Sequence, residues 1–227
     1  MKKGTRLYIN ITNRCNTDCP FCCMYSGTEN TIDMSFDIFK QIIDDCKTDF
    51  ELQLEGGEPL LHKDLYLFIE YAIATKKCKK ILMLTNGIIL EQHLKRLVEL
   101  SNFYEIPFEV KISINYWLIT VHPGHIDNIK NQLFATEYLP YFSITCNVRL
   151  RHEDELIKKR IEKDSLLKEH SNIYYLQSYG KLKDADYKKP VIVQNIENWC
   201  VYACDGTPFG TDLIARSEYE HKLQEGK

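Results

Sequence analysis

Segments with the periodicity of strands and segments with the periodicity of helices alternate along most of this 227-residue chain. Because parallel strands need a crossover that is usually a helix, this alternation predicts a parallel sheet covered by helices. Six such units fit a doubly wound sheet or an open, partial barrel, and periodicity alone does not separate the two. The predicted strands are residues 6–11, 50–55, 80–85, 108–114, 141–148 and 173–177, and the predicted helices are 35–47, 64–75, 90–100, 126–138 and 153–169.

The composition is that of an ordinary globular domain, with 44% hydrophobic and 27% charged residues. A formal net charge of -3 argues against nucleic acid or an anionic membrane as the main partner. No apolar run approaches the roughly 18–20 residues that span a bilayer, and the charged N-terminus leads directly into a strand rather than a signal peptide. We therefore expect a cytoplasmic protein with a core domain at 1–178. The less regular residues 179–227 are expected to form an extension that covers the barrel or the substrate site.

Nine cysteines are the unusual feature of the composition. An odd number excludes complete internal disulfide pairing, and without a secretion signal a disulfide framework is not expected. Four of the cysteines lie within nine positions, and two more, Cys200 and Cys204, are close together near the C-terminus. In a reducing compartment such clusters indicate a metal or redox site. The N-terminal group is Cys15, Cys19, Cys22 and Cys23.

The spacing from Cys15 through Cys19 to Cys22 is C-x3-C-x2-C. Three thiolates on one short loop can hold a cubic iron–sulfur cluster and leave its fourth iron open to a small molecule. Zinc is the alternative, since it also selects thiolates, but zinc motifs usually close a tetrahedron with a second tight pair of ligands. No such pair lies nearby in the sequence, which favours iron–sulfur over zinc. Cys23 is outside the motif and is interpreted as a neighbouring thiol.

Further polar segments follow the ends of other predicted strands. Gly56-Gly57-Glu58-Pro59 follows the second strand, Asn86-Gly87 follows the third, and Asn115 follows the fourth. The carboxyl ends of parallel strands meet at one edge of an α/β sheet, where active sites of such folds lie. The cysteine loop follows the first strand, so it is predicted to share that edge.

The cysteine loop, with Phe21 immediately before its third cysteine, resembles the signature of the radical S-adenosylmethionine (SAM) superfamily. The resemblance covers about residues 6–150 and implies a partial (β/α)6 TIM-like barrel with a short C-terminal extension. It further implies a [4Fe-4S] cluster held by Cys15, Cys19 and Cys22, with SAM bound at the open iron. The chemistry implied is reductive cleavage of SAM to a 5′-deoxyadenosyl radical, which abstracts a hydrogen atom from a substrate.

The other motifs acquire roles from the same resemblance. Gly56, Gly57 and Glu58 match the family segment that recognises the SAM amino group, although a tight strand-to-helix turn also explains them. Asn86 lies in a Thr-Asn-Gly segment that the family often carries, and Asn-Gly is equally a good turn. Phe21 is expected to pack beside adenine or to be part of the core.

Two strand ends are expected to meet the remaining groups of SAM. Ser113 and Asn115 stand where many relatives have Ser-x-Asp near the ribose, and here Asn replaces the acid, so it can donate and accept hydrogen bonds but carries no charge. Arg149 is placed to bind the SAM carboxylate bidentately, with an ordinary surface arginine as the alternative.

The tail and the substrate leave alternatives open. Cys200 and Cys204 could help to bind an auxiliary iron–sulfur cluster together with a distant ligand. The expected substrate is a peptide or a small molecule, and the alternative is activation of a glycyl-radical enzyme. A flavodoxin- or ferredoxin-like protein is the expected electron donor. The rival of another class is a non-catalytic iron–sulfur or zinc-binding protein.

Overall fold

The structure is a computed structural model, and it describes residues 5–188 and 199–226. The strands are β1 (Thr5–Thr12), β2 (Phe50–Gly56), β3 (Cys78–Thr85), β4 (Phe108–Asn115), β5 (Phe142–Leu150), β6 (Ser171–Tyr175) and β7 (Trp199–Tyr202). The helices are α1 (Phe36–Asp45), α2 (Leu65–Ala74), α3 (Leu90–Tyr104), α4 (Tyr116–Val121), α5 (His125–Thr136), α6 (Glu155–Lys163), α7 (Ser165–His170) and α8 (Leu213–Glu225).

The described strands form an open, parallel sheet in the order β6-β5-β4-β3-β2-β1-β7. The α/β class and the partial, unclosed barrel are thereby confirmed. The pattern of contacts divides the chain into two compact units. The first unit joins residues up to Met83 with those from Gln177 onward, and the second unit spans Leu84–Leu176. The predicted boundary at residue 178 remains a prediction about domains.

In the first unit, β1 pairs with β2 on one side and with β7 on the other. Alternation along β1 sends Leu7 and Ile9 into a fully buried layer, while Tyr8 and Asn10 point to the opposite face. Helices α1 and α2 pack together, with the rings of Phe39 and Phe68 stacked at 4.2 Å. Burial of such large apolar side chains is the main stabilising contribution to this unit.

In the second unit, β4 and β5 run in register, and each has an apolar face and a polar face. The apolar side chains of these strands, such as Val110, Ile112 and Val148, are fully buried, and helices α3, α5 and α7 all contact β5. On the other face Ser113 lies beside Asn147, and Asn115 lies beside Arg149. The sheet therefore presents a row of polar side chains at the carboxyl ends of β4 and β5.

Several elements differ from expectation, including α4, which was not predicted. Residues 199–202 form a seventh strand, β7, and residues 213–225 form α8, so the C-terminal extension is more regular than predicted. The helix expected at 153–169 is divided into α6 and α7, because the Asp164 side chain accepts a hydrogen bond from the Leu167 amide and starts a new helix. The last predicted strand is displaced toward the N-terminus and ends at Tyr175, before Gln177.

No helix within residues 5–188 and 199–226 combines the length and the apolar character that crossing a bilayer requires.

Candidate functional site

The cysteine loop leaves the end of β1 and returns to it, so that its two ends are tied together. The Asn13 amide donates to the Ile32 carbonyl at 3.0 Å, and the Asn13 side chain accepts from the Ile32 amide at 2.9 Å. The hydroxyl of Thr12 and the guanidinium of Arg14 both reach the Asp33 carboxylate, at 2.5 Å and 3.2 Å. These bonds close a loop of about twenty residues at its base and reduce the conformations open to it.

Bonds inside the loop fix its cysteine-bearing half. The Cys15 amide donates to the Gly27 carbonyl at 3.1 Å, and the Asp18 carboxylate accepts from the amide and hydroxyl of Thr28 at 2.9 Å and 2.8 Å. The Cys22 amide donates to the Cys19 carbonyl at 3.2 Å, which makes a single turn between these two cysteines. These backbone bonds therefore help to hold the cysteines in defined positions.

The thiols of Cys15, Cys19 and Cys22 are all half-buried. Burial is the main cause that raises the pKa of Cys15 and of Cys19 to about 12; the nearby Glu58 carboxylate contributes to the shift of Cys15, and neighbouring thiols contribute to both shifts. No three His, Cys, Asp or Glu side chains among the described residues converge on a point that would hold one metal ion. The donors are nevertheless soft sulfur ligands from one loop, and they are partly shielded from water. Because burial disfavours the charged thiolate, a bound cation is needed to stabilise it. This donor set fits an iron–sulfur cluster.

The Gly56-Gly57-Glu58 segment continues β2 alongside the start of the cysteine loop. The Gly57 amide donates to the Thr12 carbonyl and the Glu58 amide to the Arg14 carbonyl, both at 2.8 Å. A Cβ on Gly56 would lie 2.2 Å from the Thr12 oxygen, and one on Gly57 would lie 2.1 Å from the Arg14 oxygen. The glycines are thus required for close approach to the protein's own loop, a reason that the sequence alone did not reveal.

Glu58 and Phe21 occupy different environments. The Glu58 side chain is completely buried, and it accepts a hydrogen bond from the Leu60 amide, capping a short 3-10 turn at Pro59–Leu61. Its charge lies close enough to Cys15 to help raise the pKa of that thiol. Phe21 is half-buried within the loop. The carboxylate of Glu58 therefore has a structural role that the motif did not predict.

In the second unit, Asn86 builds the turn after β3. Its side chain accepts from the Ile88 amide at 3.0 Å, while the Thr85 hydroxyl accepts from the Gly87 amide at 3.0 Å. Asn86 is buried. Gly87 packs closely against Ile112, because a Cβ on Gly87 would lie 2.6 Å from the Ile112 side chain. Turn formation, one of the two roles that the sequence allowed, is confirmed. Contact with SAM remains a prediction.

Ser113 and Asn115 lie at the end of β4 with different roles. Asn115 is buried, and its Oδ1 accepts from the Leu118 amide at 2.9 Å, so it caps α4. Only its Nδ2 is left to donate to a ligand. Ser113 is half-buried, and its hydroxyl makes no hydrogen bond with any residue that the structure describes. Of the two, Ser113 has the side chain that is available to a ligand.

Arg149 lies beside Asn115 on the polar face of β5. Its guanidinium is 4.6 Å from the ring centre of Tyr174, and it forms no ion pair within the described part of the chain. The neighbouring Arg151 differs, since it pairs with Asp154 at 2.7 Å and stacks on Tyr116 at 3.6 Å. Arg149 therefore presents unoccupied donors that suit a carboxylate.

The two tail cysteines lie in different surroundings. Cys200, in β7, is half-buried and interacts with Tyr202 and Cys46. Cys204 is buried, with its sulfur 3.5 Å from the Ile32 carbonyl, and burial and the nearby Glu220 raise its pKa. An auxiliary cluster with both as ligands remains a prediction that these surroundings do not favour.

Sequence reasoning missed the residues of the C-terminal extension that contact the cysteine loop. These lie on α8 and just after residue 178, and no apolar periodicity marks them. They are Gly180, Lys181, Ser217, His221 and Gln224. Arg216 and Glu220 of α8 instead contact Glu55 of β2 and Asn10 of β1.

The chain is similar to proteins of one enzyme superfamily. The model of the radical SAM superfamily matches residues 9–117. An uncharacterized protein of Methanocaldococcus jannaschii is 26% identical over 219 residues, which is 84% of this chain and 74% of that protein. The GTP 3′,8-cyclase of Campylobacter curvus is 35% identical over 98 residues, which is 40% of this chain and only 30% of the cyclase.

Solved structures agree on the fold. anSMEcpe with bound S-adenosylmethionine has a TM-score of 0.58 at 15% identity and covers 76% of this chain and 51% of its own. Streptococcus suis SuiB bound to precursor peptide SuiA has a TM-score of 0.57 at 15% identity and covers 84% of this chain and 43% of its own. The chain thus spans about half or less of these structures, and the likeness concerns the fold. The family match over residues 9–117, together with the cysteine loop and the open parallel sheet, makes the chain similar to the radical SAM superfamily, whose enzymes use a [4Fe-4S] cluster and SAM.

Proposed function

We propose that the chain holds a [4Fe-4S] cluster through Cys15, Cys19 and Cys22 and uses it with SAM to abstract a hydrogen atom from a peptide or small-molecule substrate. The observation that carries the proposal is the cysteine loop itself: three half-buried thiols on a loop closed at its base by Asn13 and Ile32. When bound, the cluster and SAM supply a 5′-deoxyadenosyl radical. The protein's part is to bind, orient and shield that chemistry from water.

The loop supplies the orientation. Because backbone hydrogen bonds position Cys15, Cys19 and Cys22 before any ligand arrives, binding costs less conformational entropy than it would on an unstructured loop. Because the pKa of Cys15 and Cys19 is raised, both thiols are protonated at neutral pH in the apoprotein, and cluster binding would release protons as thiolates form.

Further residues are assigned to SAM in the same proposal. Since the Glu58 carboxylate caps its own turn, backbone carbonyls of the Gly56–Glu58 segment are the acceptors proposed for the SAM ammonium. Ser113 is proposed for the ribose hydroxyls and Arg149 for the carboxylate, because their side chains have free hydrogen-bonding capacity. Asn115 can contribute only its Nδ2, and Phe21 and Asn86 are proposed to border the nucleoside.

The substrate class is the least constrained part of the proposal. Among relatives, one group is named for GTP, and SuiB was solved with a precursor peptide. Both a small molecule and a peptide are therefore consistent with the relatives, and activation of a glycyl-radical enzyme is the alternative. Deuterium transfer from a labelled candidate into 5′-deoxyadenosine would identify the substrate. A stable glycyl radical on a partner protein would instead support the alternative. The electron donor is proposed to be a flavodoxin- or ferredoxin-like protein.

The test of the ligand set is anaerobic reconstitution followed by measurement of iron, sulfide and the visible absorption of the cluster. We expect wild type to bind one four-iron cluster and the triple variant Cys15→Ala, Cys19→Ala, Cys22→Ala to bind none. Cys46→Ala is the matched control, since that thiol is buried at the end of α1 and lies outside the motif. The double variant Cys200→Ala, Cys204→Ala is expected to keep the wild-type iron content. Zinc in place of iron, or a cluster that survives the triple change, would overturn the proposal.

A further inference from the structure

Helix α8 buries polar side chains where most helices bury apolar ones. Arg216, Ser217 and Glu220 are 4%, 1% and 0% exposed, and they form the buried face of the helix. A surface helix ordinarily attaches to its domain through an apolar stripe, and burying a charge costs free energy unless the charge is paired. The attachment of α8 therefore depends on specific polar bonds, which fix its position more narrowly than apolar contact would.

Two of those bonds anchor α8 on the strands that carry the cysteine loop and the glycine segment. Arg216 pairs with Glu55 of β2 at 2.5 Å, one residue before Gly56. Glu220 accepts from the Asn10 side chain of β1 at 2.5 Å and from the Cys204 amide at 2.8 Å. The helix is thus fixed to the same two strand ends from which the candidate site extends.

From this anchor, the extension binds three successive carbonyl groups that begin at the third cysteine. The backbone amide of Lys181 donates to the Cys22 carbonyl at 3.2 Å, the Ser217 hydroxyl donates to the Cys23 carbonyl, and the side-chain Nε2 of Gln224 donates to the Met24 carbonyl at 3.0 Å. Without the extension, these carbonyl groups would accept hydrogen bonds from water, and such bonds would not restrict the conformation of the loop. Together they hold the chain immediately after Cys22.

Tyr25 and Asn30, later in the cysteine loop, also make direct contacts with the extension. The hydroxyl of Tyr25 donates to the Gly180 carbonyl at 2.8 Å, and its ring stacks on His221 at 4.0 Å. The side-chain Nδ2 of Asn30 donates to the side-chain Oε1 of Gln224 at 3.0 Å. Tyr25 adopts a φ of 54°, a left-handed conformation that costs a non-glycine residue roughly 1 kcal/mol. Its contacts with the extension balance that strain, so the loop's shape depends on the extension.

The absence of a side chain at Gly180 allows the extension to pass close to the backbone of Cys22 and Cys23. A Cβ on Gly180 would lie 2.4 Å from the Cys23 Cα and 2.9 Å from the Cys22 carbonyl oxygen. The backbone of the extension therefore passes directly against the backbone of the third cysteine and its neighbour. A side chain at residue 180 would push the two segments apart.

We propose that the C-terminal extension positions the cysteine loop for cluster binding, with Ser217 and Gln224 as positioning residues that hold the Cys23 and Met24 carbonyls. This inference rests on the proposed function and adds a role for residues that the family motifs do not include. Ligands held in place by surrounding hydrogen bonds bind a metal centre more tightly and with a more uniform geometry. The extension would thus act on the cluster rather than only covering the barrel or a substrate.

The test compares Gln224→Glu with Glu218→Gln in the full chain after reconstitution. Gln224→Glu keeps the size of the side chain but removes the donor to the Met24 carbonyl, whereas Glu218 is on the exposed side of the same helix. We expect Gln224→Glu, and separately Ser217→Ala, to lose iron to an anaerobic chelator about fivefold faster, the effect of one lost hydrogen bond. The electron paramagnetic resonance spectrum of the reduced cluster should broaden in both variants, and Glu218→Gln should match wild type.

The urea midpoint of the apoprotein and the cluster uptake of wild type distinguish failure of this inference from failure of the proposed function. The urea midpoint of the apoprotein should stay at the wild-type value for Gln224→Glu, because that residue is only half-buried. Iron loss and spectra equal to wild type in both variants would overturn the inference while leaving the proposed function intact, and so would a fall in the urea midpoint that fully accounts for the faster iron loss. A wild-type protein that takes up no cluster would overturn the proposed function, and the inference with it.

Discussion

Arg216 of α8 and Glu55 of β2 form an ion pair at 2.5 Å, and both side chains are almost completely buried. The residues are 161 positions apart in sequence, so the pair links the C-terminal extension to the strand that leads into Gly56. Glu55 also accepts from Gln53 at 3.0 Å, which helps to satisfy its second oxygen. A buried pair of this kind contributes little net stability, but its loss leaves an uncompensated charge.

Arg216→Met should therefore destabilise the protein strongly. We expect the free energy of unfolding to fall by about 3–5 kcal/mol, because the Glu55 carboxylate is left buried without its partner. The double variant Arg216→Met, Glu55→Gln should recover much of that loss. Urea unfolding of the apoproteins measures both. Equal losses in the single and double variants would show that the charge of Glu55 is not the cause.

Gly56→Ala should disrupt the junction between β2 and the cysteine loop. Gly56 has a φ of 150°, and its added Cβ would meet the Thr12 carbonyl at 2.2 Å. Gly124→Ala is the matched control, since Gly124 also has a positive φ, 89°, but no atom lies within 4 Å of its Cβ position. We expect the control to lose about 1 kcal/mol from backbone strain and Gly56→Ala to lose about 2 kcal/mol more.

That comparison also has a readout at the site. Gly56→Ala should lower the amount of iron bound after reconstitution, since the loop must move to accommodate the methyl group, while Gly124→Ala should bind iron as wild type does. Similar stability losses and similar iron contents in the two variants would contradict the close approach of residue 56 to the loop.

Glu220 should make stability depend on pH in an unusual direction. Burial is the largest cause that raises the pKa of its carboxyl above the ordinary 4.5, while Asn10, the Cys204 amide and Arg216 oppose the shift. The folded protein therefore holds this proton after the unfolded chain has released it. Between 4.5 and the folded pKa, stability contributed by Glu220 falls as pH rises.

Glu220→Gln provides the comparison, because glutamine keeps the oxygen that accepts from Asn10 and does not titrate. Urea unfolding at a series of pH values should show wild type losing stability relative to Glu220→Gln as pH rises above 4.5, with a constant difference at higher pH. A difference that grows in favour of wild type as pH rises would mean that the folded pKa is lowered instead.

Arg149 and Arg151 offer a matched pair for testing SAM binding. Arg149→Gln should weaken SAM binding to the reconstituted protein about tenfold, because a charge-assisted contact with the carboxylate is lost. Arg151→Gln should bind SAM as wild type does, since Arg151 is already engaged by Asp154 and Tyr116. Equilibrium dialysis under anaerobic conditions measures both affinities. Equal affinities for wild type and Arg149→Gln would remove Arg149 from the proposed site.

Much of the fold could be predicted because its elements follow a simple hydrophobic period. Along most of their length, strands such as β4 and β5 bury every second residue, and α1 presents Phe39, Ile42 and Ile43 on one side. The cysteine loop and the glycine segment were visible as motifs, since their chemistry depends on residue type and spacing. Their positions after β1 and β2 followed from the parallel topology.

The C-terminal extension could not be predicted in the same way. The strand β7 has only four residues, and α8 buries Arg216, Ser217 and Glu220, so neither shows apolar periodicity. The bonds of α8 to the Cys23 and Met24 carbonyls join residues nearly two hundred positions apart through backbone groups, which every sequence contains. The close approach of Gly56 and Gly57 to the loop likewise became apparent only from the backbone.

The central claim is tested most directly by incubating the anaerobically reconstituted protein with SAM and a strong reductant and measuring 5′-deoxyadenosine and methionine. The account predicts that wild type forms both in equal amounts, and that the variant lacking the thiols of Cys15, Cys19 and Cys22 forms neither. Absence of 5′-deoxyadenosine from wild-type protein that carries a full complement of iron and sulfide would contradict it.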